Sequence, residues 1–238
     1  MNIVIPFRNT SGEAELKMAL DLAFSNYQVP FKDIVVIGDP IAPYNMRVKN
    51  VVIEERIYNK WLDNSFLVKT YIEKVAPGEP FLLWNDDFFI TDIVKEYRQN
   101  YFSGGLKARM EKTYVIDKKA GKIRLSEYGL NIKACLDAMG TDIINGELHL
   151  PLMVQYPKVM LETIEQCNAG NYPAMKRSVY LVKVGNEWIT EIASDVKFNE
   201  PHLTFQRPYF SLTDDQFKYF EEELAASVNR IHELETKK

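Results

Sequence analysis

Phe81-Leu82-Leu83-Trp84 is a run of four apolar residues that ends at the polar triplet Asn85-Asp86-Asp87. A short run without polar alternation is typical of a parallel strand at the centre of a sheet, because such a strand is buried on both faces. The triplet then places two adjacent carboxylates at the carboxyl end of the strand. The stretch therefore predicts a buried strand that delivers acidic side chains to one edge of a parallel sheet.

The chain before this strand alternates strands and helices. Short apolar runs at residues 3–7, 34–37 and 51–53 predict three more strands. Apolar residues recur at helical spacing over residues 16–24 and again over 63–75, where Pro-Gly follows. This order is typical of right-handed βαβ units, so we expect an α/β fold with a mostly parallel central sheet flanked by helices.

The second half of the chain is predicted to be more irregular and mainly helical. Helices are predicted over residues 125–139 and from Pro157 to about Cys167, and residues 213–216 have the capping-box pattern that opens a last helix. Residues 175–184 fit either a helix or a strand. We expect a single domain over residues 1–238.

Polar residues follow three of the predicted strands. Arg8-Asn9 follows the first strand, Gly38-Asp39 the second and Asn85-Asp86-Asp87 the fourth. Ligands of open α/β sheets bind in the crevice outside the carboxyl ends of the strands. We therefore expect Arg8, Asp39 and Asp86 to lie within reach of one ligand.

Asp86 and Asp87 are the candidate metal ligands. Two adjacent carboxylates resist joint ionisation, and a divalent cation relieves that repulsion. Mg²⁺ and Mn²⁺ prefer carboxylate oxygens together with substrate phosphate. The sequence predicts a Mn²⁺ or Mg²⁺ site here, and it also allows one aspartate to cap a turn while the other faces solvent.

His149, in the sequence His-Leu-Pro, is the candidate general base or additional metal ligand. The alternative is a histidine held by local hydrogen bonds. His202 follows a proline in a predicted loop, and His232 lies in a charged C-terminal segment, so both are expected at the surface.

Cationic side chains are needed if the crevice is to hold a phosphate group. Arg8 lies at the end of the first strand, and Lys69 lies in the helix before the acidic strand. Arg177 and Lys197 are further candidates from the second half. For each of these except Arg8, a solvated surface charge is the alternative interpretation.

The composition excludes several classes of protein. A formal net charge of -4 gives no sequence-wide basic field for nucleic acid. Cys135 and Cys167 lack a partner motif, so we expect buried thiols of a reducing compartment rather than a zinc site. No apolar run approaches the ~18–20 residues of a membrane span, which favours a cytoplasmic protein and leaves peripheral membrane contact open.

Several common catalytic motifs do not occur in the sequence, namely GxGxxG, the Walker P-loop, GxSxG and HExxH. Their absence argues against the usual dinucleotide-binding, P-loop, serine-hydrolase and zincin interpretations.

Three stretches resemble GT-A type nucleotide-sugar glycosyltransferases. They are Ile-Val-Ile-Pro-Phe-Arg-Asn at residues 3–9, Ile-Val-Val-Ile-Gly-Asp at 34–39 and Phe-Leu-Leu-Trp-Asn-Asp-Asp-Phe-Phe at 81–89. More closely, Asn-Asp-Asp-Phe-Phe followed by His149-Leu150-Pro151 is similar to the Stealth-type capsular polysaccharide phosphotransferases and related small bacterial or phage-borne glycosyltransferase-like proteins. The similarity covers about residues 1–160, but the Asp-rich opening of the Stealth family is replaced here by Ile-Pro-Phe-Arg-Asn.

In GT-A enzymes an Asp-x-Asp or equivalent motif binds the metal and the donor diphosphate. The resemblance therefore implies that Asp86 and Asp87 are metal ligands and that residues 1–100 form the nucleotide-sugar-binding half. Residues 101–238 would form the acceptor half. The residues predicted to bind the donor are Arg8, Asp39, Lys69 and Asn85.

His149 and Asp87 are the predicted catalytic residues, and the proton of the acceptor hydroxyl would go to His149 or to a carboxylate. The resemblance implies metal-dependent transfer of a sugar from a nucleotide-sugar donor to a hydroxyl acceptor, in the synthesis of a surface polysaccharide or glycoconjugate. Two alternatives are a Stealth-type hexose-phosphate transferase and a catalytically silent sugar- or nucleotide-binding protein.

Overall fold

The computed structural model describes residues 1–10, 12–97, 99–117, 121–169, 173–185, 189–192, 195, 209–212, 216–218, 220–222 and 224. The strands are β1 (Asn2–Phe7), β2 (Ile34–Gly38), β3 (Val48–Val52), β4 (Phe81–Leu83), β5 (Phe88–Ile90), β6 (Asn100–Phe102), β7 (Tyr114–Asp117), β8 (Lys122–Leu125), β9 (Leu152–Val154), β10 (Ile189–Glu191) and β11 (Tyr209–Ser211). The α-helices are α1 (Ala14–Asn26), α2 (Lys60–Thr70), α3 (Leu106–Glu111), α4 (Glu127–Met139), α5 (Pro157–Ala169) and α6 (Lys176–Val184). A π-helical turn (Tyr71–Val75) continues α2, and a 3₁₀ turn (Pro173–Met175) precedes α6.

The central sheet has the strand order β3-β2-β1-β4-β9. The pairs β2–β3, β1–β2 and β1–β4 are parallel, whereas β9 is antiparallel to β4. The predicted α/β fold with a mostly parallel central sheet flanked by helices is confirmed. The carboxyl ends of β1 and β4 consequently lie side by side.

The core lies on both faces of this sheet because its strands alternate apolar side chains to either side. On one face, Ile3 and Ile5 pack in a cluster that includes Leu16 and Leu20 of α1. On the other face, Val4 packs in a cluster built from α2, α5 and α6. Residues after a strand therefore leave a rigid scaffold at a fixed position.

The antiparallel strand β9 explains how the second half of the chain reaches the acidic end of β4. Leu152, the first residue of β9, pairs with Leu83, the last residue of β4. The residues that immediately precede Leu152 must therefore lie beside the residues that follow Leu83. This topology brings His149 to the neighbourhood of Asp86.

Several predicted boundaries differ from the structure. The third strand begins at Val48 rather than at residue 51, and α2 begins at Lys60, where Asn59 accepts hydrogen bonds from two backbone amides as the N-cap. The helix predicted from residue 125 begins at Glu127, because Leu125 belongs to β8 and Ser126 caps the helix.

The segment left open between helix and strand, residues 175–184, is the helix α6. In the C-terminal segment, residues 213–215 lie outside the described part of the chain, whereas residues 216–218 and 220–222 are helical.

In the part of the chain that the structure describes, three small strand pairs lie outside the central sheet. β5 pairs with β11 in antiparallel orientation, β6 pairs with β10 in parallel, and β7 pairs with β8 as a hairpin. These pairs were not predicted. Within the described residues, no helix is long and apolar enough to cross a membrane.

Candidate functional site

A cavity of about 580 Å³ opens at the carboxyl ends of β1 and β4. Six of the residues singled out from the sequence line this crevice, namely Arg8, Asn85, Asp86, Asp87, His149 and Arg177. The cavity thus lies at the edge of the sheet where ligands of open α/β sheets bind.

Asp86 and Asp87 lie in the turn between β4 and β5. Ser211 of β11 donates a hydrogen bond from Oγ to Asp87 Oδ2 at 2.7 Å. Because Ser211 pairs with Phe88 in the β5–β11 ladder, the strand pairing fixes the position of this donor. Ser211, more than 120 positions later in the chain, therefore orients the carboxylate of Asp87.

Arg177 connects the acidic turn to the segment that carries His149. Its Nη2 donates to Asn85 Oδ1 at 2.9 Å, and its Nη1 donates to the carbonyl oxygens of Leu148 and Leu150 at 2.8 and 2.6 Å. The residue is only 6% exposed. One planar guanidinium thus holds both walls of the crevice, as its rigid fork of donors allows.

His149 is paired with Asp195, a residue 46 positions later in the chain. The Nδ1 atom of the ring lies 2.7 Å from Asp195 Oδ2, and the backbone N–H of His149 donates to Asp195 Oδ1 at 2.9 Å. A carboxylate on Nδ1 favours the tautomer in which Nε2 is unprotonated. The Nε2 atom is therefore able to accept a proton.

A group of buried charges lies at the inner end of the crevice. Glu147, Lys176 and Arg177 all line it. Glu147 accepts a hydrogen bond from the backbone N–H of Ser178 at 2.8 Å, and Lys176 Nζ donates to Asn64 Oδ1 at 2.8 Å. Two cations at the first turn of α6 thus stand near a single carboxylate of this group.

Burial shifts the pKa values of these groups. It raises the pKa of Glu147, although Lys176, the Ser178 hydrogen bonds and Arg177 oppose the shift. It lowers the pKa of Lys176 to about 8 and lowers the pKa of Arg177, in both cases against the attraction of Glu147. The inner crevice is therefore a low-dielectric environment in which an added anion would interact strongly with these charged groups.

An aromatic wall faces this charged end. Trp61 of α2 and Tyr128 of α4 line the crevice with ring centroids 6.3 Å apart. Arg109 also lines it, lies 5.8 Å from the Tyr128 ring centroid and shares a side-chain hydrogen bond with that residue. Burial raises the pKa of Tyr128, so its hydroxyl keeps its proton.

Asp39 does not belong to the lining of the crevice. Its Oδ2 accepts the backbone N–H of Asn9 at 2.6 Å, and its Oδ1 pairs with Arg56, which also bonds Asp63. In the structure Asp39 therefore holds the loop after β1, and its role in donor binding stays a prediction. Arg8, in contrast, lines the crevice and donates from Nη1 to the Tyr58 carbonyl oxygen at 3.3 Å.

Lys69 also lies outside the lining. Its Nζ pairs with Glu165 at 3.1 Å and with Glu73 at 3.6 Å. Leu67, two positions earlier on α2, does line the crevice, and a two-residue step turns a helix by more than half a circle. Lys69 therefore lies on the face of α2 that turns away from the crevice, and its role in donor binding stays a prediction. Lys197, a candidate from the sequence, and His202 and His232, which are predicted to lie at the surface, are outside the described residues.

The described residues contain no cluster of three or more His, Cys, Asp or Glu side chains arranged for a metal ion. Asp86 and Asp87 are a two-carboxylate set. Mg²⁺ is commonly held by one or two carboxylates and completed by water and substrate phosphates. The pair fits a metal that is shared with a phosphate-bearing ligand, and it does not fit an all-protein cage.

Sequence reasoning missed Asp195, Glu147, Lys176, Arg109 and Tyr128 as parts of the site. Asp195 had no local signal, since it stands 46 positions from His149. Lys176-Arg177 did carry a local signal, because two adjacent cations at the start of an apolar segment are costly to bury without a reason.

A comparison with protein-family models finds no match to this chain, and a comparison with curated proteins finds none either.

Proposed function

We propose that the protein is a metal-dependent glycosyltransferase that moves a sugar from a nucleotide-sugar donor to a hydroxyl acceptor. One observation carries the proposal. The Asp86–Asp87 pair and the carboxylate-held His149 line the same crevice of about 580 Å³. A paired carboxylate set and an oriented base in one cavity are the two parts that such a transfer requires.

The donor would lie between the acidic turn and the cationic residues. Asp86 and Asp87 would hold Mn²⁺ or Mg²⁺, which supplies neutralisation of the negative charge that develops on the leaving diphosphate. Arg8 and Lys60 line the same cavity and would attract the phosphates from the side of β1 and α2. The aromatic ring of Trp61 would exclude water from one side of the bound sugar.

His149 would be the general base. Its Nε2 would take the proton of the acceptor hydroxyl while the acceptor oxygen forms a bond to the anomeric carbon. The bond from that carbon to the diphosphate oxygen breaks, and a nucleoside diphosphate leaves. Asp195 would keep the ring in the correct tautomer and stabilise the imidazolium that forms.

The buried cations favour a second candidate, hexose-phosphate transfer. Lys176 and Arg177 stand near one buried carboxylate, and displacement at phosphorus relies on positive charge around the transferred group. In that reaction the acceptor oxygen forms a bond to phosphorus, the diphosphate P–O bond breaks, and a nucleoside monophosphate leaves.

The released nucleotide tests these candidates. Purified protein is incubated with Mn²⁺, an acceptor panel and each of UDP-glucose, UDP-N-acetylglucosamine and GDP-mannose, and the products are separated by ion-exchange chromatography. Nucleoside diphosphate supports glycosyl transfer, whereas nucleoside monophosphate with a sugar phosphate on the acceptor supports the second candidate. Donor binding without turnover would contradict both and leave a silent sugar- or nucleotide-binding protein.

The variant His149→Asn separates enzymatic release from a contaminant. It should remove turnover while its melting temperature and donor affinity stay close to those of the wild type. Unchanged release by this variant would contradict the assignment of His149 as the base.

A further inference from the structure

The hairpin formed by β7 and β8 exposes an apolar face. Ile116 pairs directly with Ile123, and their side chains are 71% and 72% exposed. Tyr114, two positions before Ile116 and therefore on the same face, is 52% exposed. Large apolar side chains that stand together at the surface mark a site of contact rather than a solvated face.

The same part of the chain is strongly basic. Residues 107–124 contain seven Lys or Arg against two Asp or Glu, a formal charge of +5, in a chain whose formal net charge is -4. Lys107, Lys112, Lys122 and Arg124 are all exposed in the structure. Arg124 pairs with Asp117 at 3.2 Å, which compensates one of these charges and leaves the surplus positive.

The hairpin has little support of its own in water. An isolated two-stranded hairpin is marginally stable because it has no third strand or helix to cover its apolar face. Residues Tyr114 to Ile116 and Lys122 to Arg124 are exposed throughout. A surface that covers Ile116 and Ile123 and also matches the positive charge would stabilise it.

We propose that this hairpin docks the protein on an anionic lipid surface, with Tyr114, Ile116 and Ile123 entering the headgroup region. Lys122 and Arg124 flank Ile123 along β8, and their side chains leave the hairpin on the face opposite the isoleucines. The long stems of these cations let the charged ends reach lipid headgroups at the rim of the apolar face, where burial and electrostatic attraction add. Tyrosine is suited to the lipid–water interface because its ring is apolar and its hydroxyl group remains hydrated.

Two other occupants fit the hairpin less well. A second copy of the chain would bring one basic segment against another, and like charges across an interface oppose association. A nucleic acid would match the charge, but it gives exposed isoleucines nothing to pack against and the rest of the protein is acidic.

The hairpin lies next to the crevice. It follows α3 and precedes α4, and these helices carry the crevice residues Arg109 and Tyr128. Docking would hold the crevice near the membrane surface. The inference does not depend on the proposed transferase activity, because lipid binding is measured without donor or metal.

The test is co-sedimentation with vesicles of phosphatidylcholine alone or of an equal mixture of phosphatidylcholine and phosphatidylglycerol. The wild type should sediment with the mixed vesicles and stay in solution with the neutral ones, and added salt should release it. Equal recovery with both kinds of vesicle, or with neither, would overturn the proposal.

Two double variants assign the contact to the hairpin. Ile116→Ser with Ile123→Ser removes the apolar face, and Lys122→Glu with Arg124→Glu reverses two charges. Each cation near an anionic surface contributes about fivefold in affinity, so the charge reversal should weaken binding by ~25-fold or more. The apolar variant should lose sedimentation at the lipid concentration that half-saturates the wild type.

Matched controls lie elsewhere on the surface. Ile93→Ser is the control for the apolar variant, because Ile93 is an exposed isoleucine at 51%. Lys95→Glu with Lys158→Glu is the control for the charge reversal, because it changes the net charge by the same amount at two exposed positions. Both controls should bind like the wild type. Equal binding by hairpin variants and controls, or a wild-type dimer in gel filtration that the apolar variant abolishes, would overturn the proposal.

Discussion

Asp195 holds His149 at two points, with one carboxylate oxygen on the backbone N–H at 2.9 Å and the other on ring Nδ1 at 2.7 Å. The bidentate contact fixes the backbone and the imidazole together. His149 is therefore oriented by a residue 46 positions away and not by the proline that follows it. The side chains of both residues are about a fifth to a quarter exposed, at 26% and 19%, so solvent still reaches the pair.

Asp195→Asn tests whether this pair acts as an oriented base. The amide keeps the shape of the carboxylate but can donate to Nδ1, which favours the tautomer with a proton on Nε2. We expect kcat for nucleotide release to fall by about 10³–10⁴-fold with little change in KM, the magnitude seen when a base is held in the wrong tautomer. Steady-state kinetics over a range of pH provides the measurement.

The double variant Asp195→Asn with His149→Asn is the control. If the two residues act as a unit, the double variant should be no slower than His149→Asn alone. Multiplicative losses in the double variant would show that Asp195 acts independently of His149.

Asp86→Ala should abolish Mn²⁺ binding measured by isothermal titration calorimetry in the presence of a nucleoside diphosphate. Two carboxylates share the proposed ion, and a pair reduced to one carboxylate holds a hard cation poorly. The melting temperature without metal should stay the same or rise, because the variant removes like-charge repulsion next to Asp87. Asp92→Ala, at another position between β5 and β6, should leave the heat of binding unchanged.

Asp87 needs a separate comparison, since Ser211 also bonds it at 2.7 Å. Asp87→Ala is expected to lose Mn²⁺ binding as completely as Asp86→Ala, whereas Ser211→Ala should weaken binding and retain a measurable heat. Undiminished Mn²⁺ affinity in both aspartate variants would rule out the acidic turn as the metal site.

The central sheet, and the edge at which the candidate site lies, could be predicted because both depend on short local sequence patterns. Unbroken apolar runs identify buried parallel strands, and the first polar residues after them mark the carboxyl ends. This pattern predicts that Arg8 and Asp86 lie close together, and both line the crevice. Asp39 obeyed the same pattern but bonds Asn9 and Arg56, so strand-end position alone does not tell a ligand-binding residue from a loop-holding one.

The rest of the site depends on contacts between distant segments. Lys69 lies outside the crevice because the helical phase of α2 relative to the sheet is fixed by packing and not by the sequence around Lys69. Arg177 reaches Asn85 across 92 positions, and Lys176 reaches Asn64 across 112. Such pairs leave no periodic signal, and one sequence without its relatives cannot reveal them.

Arg177→Lys tests the connection between the two walls of the crevice. Lysine keeps the charge but cannot donate to Asn85 and to two carbonyl oxygens with a fixed planar fork. We expect the free energy of unfolding to fall by roughly 2–4 kcal/mol, the range for losing several hydrogen bonds of a buried charged group. Urea unfolding measures the loss, and Arg124→Lys, at an exposed position, should change stability by less than ~0.5 kcal/mol.

A loss as small as that of the exposed control would contradict the connecting role. The effect should also reach His149, because the carbonyl oxygens of Leu148 and Leu150 flank it. Histidine ring signals in NMR spectra of Arg177→Lys should therefore shift or broaden, which a purely local change at α6 would not cause.

The pH dependence of stability tests the buried lysine at the inner end of the crevice. Burial lowers the pKa of Lys176 from 10.5 to about 8, so between these values the unfolded chain binds a proton that the folded protein has released. The free energy of unfolding contributed by this group must therefore rise from pH 8 to pH 10.5 and stay flat below pH 8. A shift of this size corresponds to up to roughly 3 kcal/mol.

Lys176→Met removes the titrating group and keeps an unbranched side chain that is only one heavy atom shorter. The stability difference between wild type and variant, measured by urea unfolding in steps of pH, cancels the other groups that titrate in this range. We expect the difference to change in favour of the wild type by up to roughly 3 kcal/mol between pH 8 and pH 10.5. Lys158→Met, at an exposed position on α5, should show a flat difference. A flat difference for Lys176→Met as well would mean that the ammonium is solvated and that its surroundings do not resist charge.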